Sequence, residues 1–162
     1  MKVYKKFLPK NEFLEIKNLL MSPDFAWYYN SSVVEKKRED GSMFQFTHKF
    51  YDDNIINSAH FNLVNPVFNI IKPLTILRVK GNLLTKNNIH IEHGFHTDYD
   101  QDRVTTGILY INTNNGYTKF KNGEVVKSEE NKYIEFNSME RHTGASCTDE
   151  NIRVIINFNY IK

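Results

Sequence analysis

Cysteine is nearly absent from this chain: Cys147 stands alone. One thiol cannot close an internal disulfide, so packing alone must hold the fold, which suits a reducing cytosol. Cys147 reads as a small loop residue with nothing nearby to activate it. Long apolar runs are also missing. No stretch approaches the roughly 18 residues of a membrane span. The start, Met1 to Pro9, is basic but lacks the apolar core and small-residue cleavage site of a signal peptide. A cytoplasmic protein without a membrane partner is the expectation. Excess charge of one sign is lacking too. The net charge is only +2, with neither a basic run nor an acidic tail, so nucleic acid is not an expected partner. Repeats, linkers and low-complexity segments do not occur.

What remains is an ordinary globular composition, 40% hydrophobic and 25% charged, with a high aromatic share of 14%. Such a share suits a β-rich core. At 162 residues the chain reads as one domain over 1–162. It divides into helical support over about 10–71 and a β core over about 74–161. Phe13, Leu14, Ile16, Leu19 and Leu20 mark one face of a helix over Lys10–Met21, with Asn11 as its N-cap. Phe25–Val34 and Met43–Tyr51 read as strands around a charged turn at Glu35–Ser42. Ser58–Ile71 reads as a second helix, which Pro66 either kinks or starts. Strands follow at Leu74–Leu84, Ile89–Asp98, Arg103–Asn112, Tyr117–Phe120, Glu124–Lys127, Lys132–Phe136, Arg141–Ser146 and Ile152–Ile161. Asn-Gly pairs between several of them signal hairpins. Two helices followed by about eight short strands predict a mostly β fold. It would be a jelly roll with two N-terminal helices packed on one sheet.

The chemistry concentrates at Gly94-Phe95-His96-Thr97-Asp98. Residues i and i+2 of an extended chain share a side, so His96 and Asp98 project together. His142 lies 44 residues beyond Asp98, and Arg153 eleven residues further, inside a strongly β-forming run. Two imidazoles and one carboxylate leave open positions on a labile metal, which is the donor set of non-haem iron(II) oxygenases. An arginine within the apolar strand Ile152–Phe158 calls for a carboxylate partner that its guanidinium fork can grip. Alternation places Asn157 on the same face as Arg153, and Ile152, Val154, Ile156 and Phe158 on the other. Tyr110 is positioned to offer a hydroxyl. Plainer readings stand beside these: a polar loop pair for His96 and Asp98, an ordinary surface or core histidine for His142, an internal salt bridge for Arg153, and a core aromatic for Tyr110. The spacing of His90, His93 and His96 does not make a helical zinc site, because Gly94 and the β-branched residues oppose a helix. His90 and His93 read as loop or rim residues.

The segments Gly94–Asp98, Leu109–Asn112, Arg141-His142 and Arg153–Phe158 resemble the Fe(II)- and 2-oxoglutarate-dependent oxygenases. The prolyl-hydroxylase-like branch and the small members of phages and marine bacteria look most similar. The resemblance covers roughly residues 74–161 and implies a double-stranded β-helix, cupin-like. It implies that His96, Asp98 and His142 bind iron and act in catalysis. Arg153 and Tyr110 would take the distal carboxylate of 2-oxoglutarate, with Asn157 beside them. The implied reaction consumes dioxygen, hydroxylates an unactivated carbon of a small-molecule or peptide substrate (a prolyl or other amino-acid residue among them), and releases succinate and CO2. This sequence departs from the branch at Asn82, where relatives often carry a tyrosine that touches the cosubstrate. Arg78 and Lys80 flank Asn82 at strand spacing. They form either an exposed strand face or a polar wall toward an anionic substrate. A non-catalytic jelly-roll binding module, with a structural metal or none, is the alternative reading.

Overall fold

The structure, a computed structural model, describes residues 1–31 and 44–162. The long strand β11 (Ile152–Ile161) lies at its centre. Its even-numbered side chains Val154, Ile156, Phe158 and Tyr160 are buried against one layer, and its odd-numbered ones face the opposite way. On its two sides run β5 (Thr75–Thr85) and β6 (Val104–Tyr110), both antiparallel to it. The sheet continues beyond β6 through β9 (Tyr133–Asn137) to β1 (Lys2–Tyr4). Beyond β5 it continues through β3 (Gln45–Asp52) to β2 (Tyr28–Asn30), and the short β4 (Ile55–Ile56) also pairs with β3. A second, three-stranded sheet carries β7 (Tyr117–Phe120) between β8 (Val125–Lys127) and β10 (His142–Gly144).

Two helices back the large sheet. Helix α1 (Lys10–Leu20) buries Phe13, Ile16 and Leu20, and α2 (Asn65–Ile71) buries Val67 and Ile71. These side chains join the even-numbered residues of β11, with Leu109 and Ile111, in the main core. Each such side chain contributes about 1.5–3 kcal/mol on burial. A second cluster of Ile108, Tyr110, Phe120, Val126, Ile134, Phe136 and Ile155 fills the space between the two sheets. Facing antiparallel sheets with helices on the outer face of the larger one make the jelly-roll, double-stranded β-helix arrangement.

Several elements depart from the sequence expectation. Asn11 lies inside α1, whose N-cap is Pro9 with no side-chain cap bond. Pro9 accepts the Phe13 N–H at 3.0 Å, the first intrahelical bond, as the carbonyl of an N-cap residue does. Pro66 marks the start of α2, preceded by a separate 3-10 turn at Phe61–Val64. The strand expected over Phe25–Val34 is only Tyr28–Asn30 within the described part. The turn at Glu35–Ser42 lies outside the described residues. Ile89–Asp98 forms no named strand. Gly94 has a φ of 89° and breaks the extended run, leaving only the isolated bridges Glu92–Ala145 and His96–His142.

Candidate metal centre

The His96–His142 bridge creates the centre. The two residues exchange both backbone hydrogen bonds, each at 3.0 Å, as one antiparallel pair. Directly opposite residues of such a pair put their side chains on one side. The two imidazole centroids therefore lie 4.6 Å apart. Asp98 follows two residues after His96, and its N–H is anchored on the Ser138 carbonyl at 3.2 Å. The ligand atoms of His96, Asp98 and His142 all lie within 4.8 Å of one another. One Asp98 oxygen is 3.8 Å from His142 Nε2.

The surroundings fix which atoms face the centre. Nδ1 of His96 meets the Gly94 carbonyl at 3.2 Å, and Nδ1 of His142 meets the Glu140 carbonyl at 3.0 Å. A carbonyl only accepts, so each Nδ1 carries the proton and each Nε2 keeps its lone pair. Burial, with His142 alongside, lowers the pKa of His96 and favours the neutral, ligating form. Asp98 is clamped from three sides. Arg78 donates to it at 3.2 Å, the Thr106 hydroxyl at 2.8 Å and the Asn157 amide at 3.2 Å. Burial pushes its pKa up, but the neighbouring His142, Arg78 and His96 and the Thr106 bond outweigh burial and bring it down to about 2. The carboxylate is an anion throughout the physiological range.

A cavity opens from this centre between the two sheets, with about 570 Å³ of free space including its mouth. His96, Asp98 and His142 line it, and so do Asn82, Arg153 and Asn157. Arg153 sits four residues from Asn157 on β11, about 13 Å along the strand. It is 2% exposed. Its Nε donates to Ser128 Oγ at 2.8 Å and its Nη2 to Thr118 Oγ1 at 3.2 Å. Among the described residues no carboxylate lies within ion-pair distance of it. Burial lowers its pKa, so the charge is held at a cost. Gly116 permits this placement, because a Cβ there would lie 2.6 Å from Arg153 Cδ.

Tyr110 does not reach the cavity wall. Its hydroxyl donates to Thr118 at 2.9 Å, its ring lies 5.7 Å from the guanidinium carbon, and burial lifts its pKa to about 12. Thr118, from the small sheet, fills the place expected for the Tyr110 hydroxyl. Asn82 leans on its own strand, donating to the Lys80 carbonyl at 3.4 Å. Arg78 and Lys80 are not an exposed face: both are partly buried, Arg78 bonded to Asp98 and Asn159 and Lys80 lining the cavity. His93 is no rim residue either: it is 2% exposed and lines the cavity. Sequence reasoning missed Thr118, Ser128, Thr106 and Gln45, and no local motif marks any of them. Lys80 carried a signal, its parity with Arg78 and Asn82.

No family model matches the sequence, and no curated protein is similar to it in sequence. Solved structures do match. A prolyl-4-hydroxylase from Pseudomonas putida is 13% identical, with a TM-score of 0.64 over 99% of this chain and 92% of that one. A prolyl hydroxylase from Trichoplax adhaerens, solved with a peptide fragment of the hypoxia inducible factor oxygen degradation domain, is 14% identical. Its TM-score is 0.66 over 99% and 82%. An epimerase solved with Fe3+, alpha ketoglutarate and nogalamycin RO is 10% identical, with a TM-score of 0.66 over 99% and 78%. The chain shares its fold with these three enzymes across nearly its whole length.

Proposed function

We propose that this protein is an Fe(II)- and 2-oxoglutarate-dependent dioxygenase that hydroxylates an unactivated carbon of a small-molecule or peptide substrate. The observation that carries the reading is Arg153. A buried guanidinium with no protein carboxylate among the described residues ends the same cavity that holds His96, Asp98 and His142. An uncompensated buried charge costs several kcal/mol. A ligand carboxylate answers that cost, and 2-oxoglutarate carries one at the end opposite its metal-binding keto acid.

The donor set fits iron(II): two neutral imidazole Nε2 atoms and one anionic oxygen. Beside them the Asn157 Oδ1 atom is buried with no hydrogen-bond partner, an acceptor free for a donor on the molecule to be oxidised. His96, Asp98 and His142 would hold the metal, and Arg153 the distal carboxylate of 2-oxoglutarate. When bound, iron and 2-oxoglutarate supply the oxidation: one dioxygen is consumed, succinate and CO2 leave, and a substrate C–H becomes C–OH. The chain does the rest. Arg78, Thr106 and Asn157 keep the Asp98 carboxylate oriented. The Gly94 and Glu140 carbonyls keep both imidazoles in the ligating tautomer. Ser128 and Thr118 aim the guanidinium down the cavity. Leu84, Ile108 and Ile155 supply apolar wall that excludes water and strengthens each of these interactions. The epimerase of like fold holds Fe3+ and alpha ketoglutarate, and the peptide complex shows that this fold also receives a chain segment.

The test is aerobic incubation of the purified chain with Fe(II), ascorbate and 2-oxoglutarate, following succinate by mass spectrometry. Succinate formation that requires all of His96, Asp98 and His142 is the expected result. Absence of both 2-oxoglutarate binding and succinate would leave a jelly-roll binding module.

A further inference from the structure

Lys80 has no role in the reading above, yet it lines the same cavity. On β5 it stands opposite Asn157 of β11 and opposite Lys49 of β3. Asn157 donates to Asp98, so Lys80 lies at the metal end, while Arg153 pairs with Leu84 towards the other end. Among the described residues the Lys80 ammonium has no ion pair and no hydrogen bond. Its charged neighbours are already engaged. Arg78 is bonded to Asp98 and Asn159, and Lys49 pairs with Asp52 at 2.6 Å.

The charge balance says what Lys80 can bind. A divalent metal and a dianionic keto acid cancel one another. Asp98 answers one of the three cations Arg78, Arg153 and Lys80. Two positive charges then remain in a partly desolvated cavity, where unanswered charge is costly. Arg153 takes the distal carboxylate of the keto acid from the far end. The keto acid's other carboxylate would be spent on the metal, which leaves the Lys80 amine without an anion of its own.

We propose that Lys80 binds a carboxylate of the molecule to be oxidised, so the primary substrate is an acid held by that group beside the metal. The assignment rests on the iron and 2-oxoglutarate reading. A carboxylate on a free small acid and one on a peptide satisfy Lys80 equally, and acetate is the fragment common to both.

The experiment uses the full chain loaded with redox-inert Ni(II) and saturating 2-oxoglutarate. Acetate and its neutral counterpart acetamide are titrated in, with binding read by calorimetry and by amide chemical shifts. Acetate should bind at least tenfold more tightly than acetamide. Lys80→Met should abolish that preference, and Lys80→Arg should retain it. The 2-oxoglutarate Kd should stay within twofold in both variants. Circular dichroism confirms that both fold. Equal binding of acetate and acetamide to the wild type overturns the proposal. So does a preference that survives Lys80→Met, or a 2-oxoglutarate affinity that falls in step with that of acetate. If 2-oxoglutarate does not bind but acetate still does in a Lys80-dependent way, the cosubstrate reading falls and the carboxylate site stands.

Discussion

Replacing Arg153 by lysine keeps the charge and removes the fork. In the structure Nε is committed to Ser128 and one hydrogen of Nη2 to Thr118. Nη1 and the second Nη2 hydrogen remain for a ligand carboxylate, as two parallel donors. A lysine ammonium offers a single point and cannot also satisfy both hydroxyls. Loss of one charge-assisted hydrogen bond costs about 1.5–3 kcal/mol. At 1.4 kcal/mol per decade, the Kd for 2-oxoglutarate should rise about 10- to 150-fold. Metal affinity should hardly move, because Arg153 stands about 13 Å along the strand from Asn157 at the metal end. The assay is calorimetric: Ni(II) binding to the free protein and 2-oxoglutarate binding to the Ni(II) form, for wild type and Arg153→Lys side by side. An unchanged 2-oxoglutarate Kd, or equal losses in metal and keto-acid affinity, would refute the reasoning. Arg153 would then be a structural cation satisfied by Ser128 and Thr118.

Other perturbations follow from the same cavity. Burial and the neighbouring Arg78 lower the Lys80 pKa from its ordinary 10.5 to about 8, a difference of about 3 kcal/mol at 1.36 kcal/mol per tenfold. Its folded pKa is lowered, so the penalty is fully present below pH 8 and disappears as pH rises towards 10.5. Lys80→Met should therefore stabilise the ligand-free protein to urea at pH 7 by up to about 3 kcal/mol. The gain should shrink as pH climbs from 8 to 10, and a destabilised variant would contradict the burial argument. Gly116→Ala places a Cβ 2.6 Å from Arg153 Cδ and 3.0 Å from the Ala145 carbonyl. It should weaken 2-oxoglutarate binding about tenfold, the effect of about 1.4 kcal/mol of displacement, with Ni(II) affinity kept, as read by the same calorimetry. His96→Ala should abolish metal binding in equilibrium dialysis while leaving the far-ultraviolet circular dichroism intact, because the centre joins two segments already held by backbone bonds. An unfolded variant would mean that the metal is structural.

Period-2 alternation made β11 legible from the sequence. Arg153 and Asn157 were assigned to one face and Val154, Ile156 and Phe158 to the helix-packed face, and the structure places them so. The hairpin strand Tyr117–Phe120 and the final strand Ile152–Ile161 carry the expected bounds, since Asn-Gly turns and charged loops delimit them. The segment before Asp98 was less legible. Its β-branched residues suggest a strand, but strand pairing depends on a neighbour, and either side of Gly94 the chain makes only one isolated bridge, to Ala145 and to His142. Tyr110 shows the limit of a local reading. Its ring lies in the cluster between the sheets, but nothing local reveals that Thr118, on another strand, stands between its hydroxyl and the cavity. Of the loop and rim readings of His93 the loop holds, but only the fold shows that the residue is enclosed. For Lys80 the sequence left an exposed strand face and a polar wall both open, and its place in the cavity lining decides for the wall.

Arg153, Lys80 and Asn157 share a property that links packing to function. Each is enclosed, each lines one cavity, and each keeps polar capacity that the described residues leave unused. Proteins satisfy buried polar groups almost everywhere, because an unpaired one costs about 1–3 kcal/mol and a charge more. Among the described residues the other buried side-chain atom without a partner is Ser22 Oγ, in the turn after α1. Three unanswered groups thus line this one cavity, at both of its ends. Their positions define a ligand by subtraction. It needs an anionic end for Arg153, a donor for the Asn157 oxygen and a second anionic group for Lys80. A single 2-oxoglutarate bound to a metal through its keto acid answers the first. Asn157 and Lys80, side by side at the metal end, are left to the second molecule.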